Sequence, residues 1–419
     1  MDGDDPPGVC RQRRGLTVLI GIDASRTTVA QRTGTEVYAL HLIRSLLRIG
    51  AGHQFRLYFN TPPSPGTIPG ELALDADGHC EQRILSFPRL WTHVRLSAEM
   101  LVHPPDVLFV PSHVLPLYHP RRSVVTVHDL GHHYHPEAHT ARQRWYLEWS
   151  TRYHVRTSAH LLADSRATRD DLVRLYGADP ERVTVAHPGV DPTLKPVRDP
   201  AQLAPVTRKY GITVPYLLYV GTLQPRKNLV RLIEAFDRVS GVRGQPGREG
   251  KSRMADPSQT SHLQLALVGK QGWLSEGILA RIQKLGLEDR VVCPGFVDDA
   301  DRAALYSGAS LFVMPSLYEG FCMPVLEAMA CGAPVACSNV SSLPEVVGDA
   351  ALLFDPTDVC SIAGAIERVF QDGELRRTMV ARGFEQVKAF TWMRCAQQVL
   401  AVLERVSSMS AFPSQVRQS

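Results

Sequence analysis

Two glutamates, Glu319 and Glu327, stand with seven residues between them in the stretch SLYEGFCMPVLEAMACG, and their flanks decide what chemistry they could do. The apolar run Ala309–Met314 reads as a short buried strand that stops at Pro315. Pro324 followed by VLEAMA reads as a helix with proline in its first turn, where a missing N–H costs nothing, and Gly332-Ala-Pro334 ends it. Gly320 and Pro324 keep the two carboxylates off one continuous helix. Glu319 therefore belongs to the loop at the carboxyl end of a strand, and Glu327 to the first turns of the helix after it. That crevice is where open α/β sheets bind ligands, and free amides around Phe321–Val325 suit an anion such as phosphate. Neither acid demands a function on its own: a Glu near a helix start offsets the dipole, and a loop Glu is ordinarily solvated.

Three further groups sit at comparable places. Arg226 and Lys227 follow the apolar run Tyr216–Val220 and Gly221, with the helical pattern LVRLIEAFDRV behind them. Strand, glycine, basic pair and helix make a diphosphate cradle: Gly221 admits close backbone approach and the pair supplies fixed charge. A solvated loop is the simpler account of two adjacent basic residues. His128-Asp129 follow the strand Val124–Val127 directly. The run HDLGHHYHP invites a metal reading, but no cysteine or second histidine pair stands at a recognised ligand spacing, so no metal site is expected. Gly34 lies between the strand Leu16–Ile22 and the helix Val37–Leu47, where a turn glycine is the default reading.

The context comes from a resemblance. PSLYEGF and PVLEAMACGAPV around the two acids resemble the Glu-x7-Glu signature of retaining nucleotide-sugar glycosyltransferases, family 4, and YVGTLQPRKNL, VTVHDL and TGTEVY are similar to its other motifs. The resemblance runs from about residue 16 to 405, is weakest in 48–100 and is absent in 240–262. It implies a GT-B fold, α/β, with two Rossmann-like doubly wound parallel-sheet domains facing across a cleft and a C-terminal helix crossing back to the first. It implies catalytic roles for Arg226, Lys227, Glu319 and His128, with Glu319 meeting sugar hydroxyls and Glu327 the ribose. Gly34, Gly221, Gly269, Lys270, Val297, Gly320, Phe321, Cys322 and Met323 would line the donor site. The implied reaction moves a hexosyl group, mannosyl or glucosyl, from a GDP- or UDP-linked donor to a glycan, lipid-linked or small-molecule acceptor. It keeps the anomeric configuration and uses no metal or cofactor. Cys322 stands where the family commonly has glycine, which bears on donor selectivity. A sugar-nucleotide epimerase or hydrolase and a silent nucleotide-sugar binder share the cleft and remain open. An NAD-dependent oxidoreductase is disfavoured, since no G-x-G-x-x-G follows either opening strand.

Positioning these residues takes two alternating strand–helix units, and 419 residues suffice for two domains of ordinary size. The expected organisation is a loose tail at 1–15, an acceptor-side domain at 16–205, and a donor domain at 206–388. A helix in 389–419 would pack back on the first domain. The segment 240–262, rich in Gly, Ser, Arg and Pro, reads as a flexible surface insertion. Phe87–Leu101 has apolar and basic residues at helical spacing. A core-facing helix with a solvated basic side is the simpler reading, and a peripheral membrane contact the sharper one. Charge is balanced, 46 basic against 42 acidic residues, which gives no reason to expect nucleic acid as a partner. No apolar run reaches a membrane span, the first residues do not read as a secretory signal, and eight scattered cysteines suit reduced thiols. A cytoplasmic protein, with or without contact at the inner face of the membrane, is the expectation.

Overall fold

The computed structural model describes residues 17–409 except 30, 68–78, 113, 241–261 and 273–274. The tail at 1–15 and nearly all of the insertion at 240–262 lie outside the described residues. Two wholly parallel sheets carry the chain. The first contains β1 (Leu19–Asp23), β2 (Gln54–Phe59), β3 (Cys80–Ile84), β4 (Val107–Val110), β5 (Ser123–Val127), β6 (His160–Ala163) and β7 (Val183–Val185), in the order β3-β2-β1-β4-β5-β6-β7. The second contains β8 (Tyr216–Val220), β9 (Gln264–Val268), β10 (Val291–Gly295), β11 (Leu311–Met314), β12 (Val335–Ser338) and β13 (Leu352–Phe354), in the order β10-β9-β8-β11-β12-β13. Each order reverses beside its opening strand, between β1 and β4 and between β8 and β11, and such switch points are where a doubly wound sheet opens a crevice. The fold is the GT-B architecture.

Central strands such as VLFV, SVVTV and LFVM are buried throughout, as strands covered on both faces must be. β3, CEQRI, has no apolar run to announce it. It is an edge strand whose Glu81 and Gln82 meet solvent, so pairing with β2 is all that makes it a strand. The helix Ala141–Thr157 was equally silent: its buried residues are Ser150, Thr151, His154 and Val155, and a Thr140–Gln143 capping box starts it. The stretch around residue 205 is also helical, Pro200–Lys209, with Asp199 accepting from the Ala201 amide at its start.

The last helix, Trp392–Ser408, lies against the helix Gly34–Ile49 and one face of the first sheet. Cys395, Val399, Leu403 and Val406 share a core with Ile20, Ile22, Ile43 and Leu46. Each fully buried aliphatic side chain there contributes about 1.5–3 kcal/mol. The segment expected as a basic-faced helix at 87–101 is a turn of π-helix, Thr92–Leu96, running into Ser97–Val102. Trp91, Leu96 and Met100 are buried under it, but its outward side is apolar: Leu90, Val94 and Leu101 are exposed, while Arg95 is paired with Glu99 at 3.4 Å.

Candidate active site

The basic pair is held by backbone before it meets any partner. After β8 the chain makes a short 3-10 turn, Pro225–Lys227, and Asn228 leaves it at a φ of +59°. The buried Asn228 amide donates to the carbonyls of Pro315 (3.0 Å) and Pro356 (2.7 Å), and the Leu317 amide donates to the Arg226 carbonyl at 3.0 Å. The loop after β8 is thereby fastened to the loop after β11. Arg226 donates to Asp129 of the first domain and to the Tyr318 carbonyl, both at 3.3 Å. Lys227 donates to Glu319 at 2.5 Å, and Ser316 bonds the same carboxylate oxygen.

Both glutamates are 6% exposed. Burial opposes charge on Glu319, but Lys227 and Arg226 outweigh it and hold the carboxyl below its usual range. Glu327 sits inside the helix Met323–Ala330, its two oxygens taken by the Tyr306 hydroxyl at 2.7 Å and by the Arg302 guanidinium. Cys322 precedes that helix at φ +79°, a left-handed conformation that residues with a Cβ rarely adopt. Burial and then the Glu319 charge push its thiol well up, so it stays neutral.

From the first domain, His128 gives Nδ1 to Asp164 (2.7 Å) and Nε2 to the Pro111 carbonyl (2.8 Å), with Tyr38 edge-on to its ring. A carbonyl only accepts, so Nε2 carries a proton. Burial opposes charge on the ring, but Asp164 and the Pro111 carbonyl raise its pKa above the ordinary histidine value. In this conformation both ring nitrogens are engaged within the first domain, while the His128 carbonyl faces Gly320 of the second. A Cβ placed on Gly320 would lie 1.8 Å from that oxygen, so only glycine lets the two loops meet.

Arg226, Lys227, both glutamates, Cys322, His128 and Gly320 border one cavity of about 360 Å³ between the domains. Every residue singled out in the sequence lines it: Gly34 and His128 from the first domain; Gly221, Arg226, Lys227, Gly269, Lys270 and Val297 from the second; and Glu319, Gly320, Phe321, Cys322, Met323 and Glu327 around the helix start. The sequence reading missed Arg32, Asp164 and Arg302, which line it too. Arg302 comes from the helix Asp299–Gly308, whose polar letters carry no motif. Among the described residues, no group of three or more His, Cys, Asp or Glu is arranged to hold a metal ion. Chemically, fixed cations and an open helix start converge where an anion would sit, with a carboxylate on either side.

A family model described as Glycosyl transferases group 1 matches residues 208–386, and one described as Glycosyltransferase Family 4 matches residues 32–194. The O-antigen chain mannosyltransferase B of Escherichia coli is 32% identical over 380 residues, covering 88% of this chain and 95% of that protein. Among solved structures, a sucrose-phosphate synthase from Thermosynechococcus elongatus superposes with a TM-score of 0.68 at 22% identity, over 93% of this chain and 98% of that one. The Anabaena protein HepE in complex with UDP-glucose superposes with a TM-score of 0.66 at 18% identity, over 92% and 99%.

Proposed function

Because the chain belongs to glycosyltransferase family 4, we propose that it is a retaining, metal-independent mannosyltransferase that takes its sugar from a nucleotide-diphosphate donor and extends a glycan or lipid-linked acceptor. One observation carries the reading: Arg226 and Lys227 border the same cavity as Glu319, Glu327 and the start of the helix Met323–Ala330. The mannosyl assignment leans on the likeness to the O-antigen chain mannosyltransferase B, which spans nearly all of both chains. The donor class leans on the neighbour whose structure holds UDP-glucose, and the donor proposed here is GDP- or UDP-linked.

In the proposed reaction the bond from the anomeric carbon to the donor phosphate breaks, and its electron pair stays on the phosphate oxygen. The acceptor oxygen bonds that carbon from the same face, and its proton passes to the departing phosphate. Charge gathering on the diphosphate is the largest electrostatic demand, met by Arg226, Lys227 and the amides after Cys322. Glu319 orients the sugar. Its Oε1 is engaged by both Lys227 and Ser316, which makes it a poor choice of nucleophile for a double displacement. Glu327, fixed by Arg302 and Tyr306, faces the ribose.

The test is a thermal-shift screen against GDP-mannose, UDP-glucose and their free nucleotides, followed by turnover with the best donor in the presence of EDTA. Expected are a rise in Tm with one nucleotide sugar and transfer that survives chelation with the α-configuration kept. Inversion, or turnover abolished by EDTA and restored by a divalent ion, would overturn the mechanism. Release of free or isomerised sugar without an acceptor, and no transfer with one, would favour the hydrolase or epimerase chemistry.

A further inference from the structure

Two residues that border the cavity each bury a side-chain polar atom with no hydrogen-bond partner among the described residues: Arg32 at Nε and Asp164 at Oδ1. Arg32 is half-buried, and a long side chain of that kind keeps part of its charged end in water. Asp164 is 5% exposed, and a carboxylate taken out of water is costly unless its oxygens are engaged. It stands just past β6, at the carboxyl end of the first sheet, where the cleft opens. Its Oδ2 lies 2.7 Å from His128 Nδ1, so the proton between the two sits on that line whichever partner owns it. Oδ1 carries no proton in either case and can only accept. Neighbours close enough to feel the charge of Asp164 are committed elsewhere. The Tyr38 hydroxyl is with Thr126 at 3.3 Å, the Cys395 thiol with the Ala186 carbonyl at 3.8 Å, and His187 Nε2 with Glu345 at 2.7 Å.

We infer that Asp164 Oδ1 accepts a hydrogen bond from a hydroxyl of the donor sugar, an inference that rests on the nucleotide-sugar reading above. A diphosphate brings only acceptor oxygens and negative charge, which a carboxylate repels, so the group that meets Oδ1 is a hydroxyl. The ribose hydroxyls are met by Glu327 in that reading, which leaves those of the transferred sugar. Position agrees with chemistry. A Cβ on Gly320 would lie 1.8 Å from the carbonyl of His128, so the loop that carries Glu319 abuts the very residue that Asp164 bonds. With the diphosphate at the start of the helix Met323–Ala330, the sugar attached to it comes between Glu319 of the second domain and Asp164 of the first. The contact belongs to the intact donor alone. Once the sugar has been transferred, the spent nucleotide keeps its hold on the second domain and loses this tie to the first.

The experiment is calorimetry on the wild type and Asp164→Asn with three kinds of probe: the nucleotide sugar that raises Tm most, its free nucleotide, and its singly deoxygenated sugar analogues. In Asp164→Asn the amide oxygen still accepts from His128 Nδ1, and an NH2 group takes the place of the second acceptor. Melting curves check that the variant folds, and Asp164→Ser replaces it if it does not. Free nucleotide should bind both proteins alike, and the nucleotide sugar should bind the variant about tenfold or more weakly. One deoxy analogue should lose about tenfold with the wild type and little further with the variant, the non-additivity of two groups in contact. Deoxy analogues that all bind the wild type within about twofold of the parent, strictly additive losses, equal weakening of the free nucleotide, or an effect confined to the acceptor KM would overturn the inference and leave the donor reading standing. Failure of every nucleotide sugar to bind the wild type would overturn the donor reading, and the inference with it.

Discussion

At the scale of single residues, the site divides into groups that meet a ligand and groups that aim them. Arg226 is of the first kind in the proposed reaction. Arg226→Ala should lower kcat by about 10²–10³ and weaken nucleotide binding together, and Arg226→Lys should recover little, because an ammonium cannot span Asp129 and the Tyr318 carbonyl as a guanidinium does. Initial rates with titrated donor, and calorimetry with the free nucleotide, measure both; unchanged binding would remove Arg226 from the donor site. Arg302 is of the second kind. Arg302→Met would leave the buried Glu327 carboxylate with only the Tyr306 hydroxyl, so the donor KM should rise about tenfold or more with kcat much less affected. An unchanged KM would show that Arg302 positions nothing. The difference in legibility follows the same division. Arg226, Lys227 and Glu319 sit just past strand ends inside short motifs, so letters and position agreed. Arg302 and Tyr306 act through contacts across tens of residues, from a helix whose local pattern says only that it is partly solvated, and Asp164, though just past β6, stands in no motif of its own.

At the scale of elements, buried strands were legible because covering both faces demands an unbroken apolar run, as in YLLYV at Tyr216–Val220. Edge strand β3 and the helix Ala141–Thr157 were not, because each buries few apolar residues and is fixed by its neighbours. The outward stripe at Leu90, Val94 and Leu101 was visible as apolar letters, but which side faced the core depended on a turn of π-helix that spacing cannot announce. Where the elements meet across the cleft, backbone geometry matters more than side chains. The loop after β11 reaches the loop after β5 at Gly320, whose added Cβ would collide with the His128 carbonyl. Gly320→Ala should therefore hold the two loops apart and cut turnover by at least about tenfold, leaving nucleotide affinity nearly as it was. Single-turnover rates beside calorimetric nucleotide binding give the comparison; full turnover in the variant would mean that the contact is not needed for reaction.

At the scale of the whole molecule, the last helix ties the chain's end to its beginning, and the ionisation of His160 bears on that tie. His160 is 1% exposed at the start of β6; its Nε2 lies 2.8 Å from the Thr184 hydroxyl and 3.2 Å from Nη2 of Arg405 on the last helix. Burial, then the charges of Arg405 and Arg182, push its pKa down to about 4 from the ordinary 6.5. Since the unfolded chain takes up this proton near 6.5 and the folded chain only near 4, unfolding binds a proton throughout that interval. Stability must fall as pH drops through it, by about 2–3 kcal/mol from this group. His41, stacked on Trp392 of the same helix and lowered chiefly by burial, acts in the same direction. His128 acts in the other: its raised pKa gives stability that is fully present below the ordinary histidine value and is lost as pH rises through the raised one. His160→Gln removes one titration and leaves the rest, so between neutral pH and pH ~4.5 its Tm should fall by less than that of the wild type. Thermal melts of the two proteins across that range decide it, and parallel curves would show that acid loosens the molecule somewhere other than beneath its last helix.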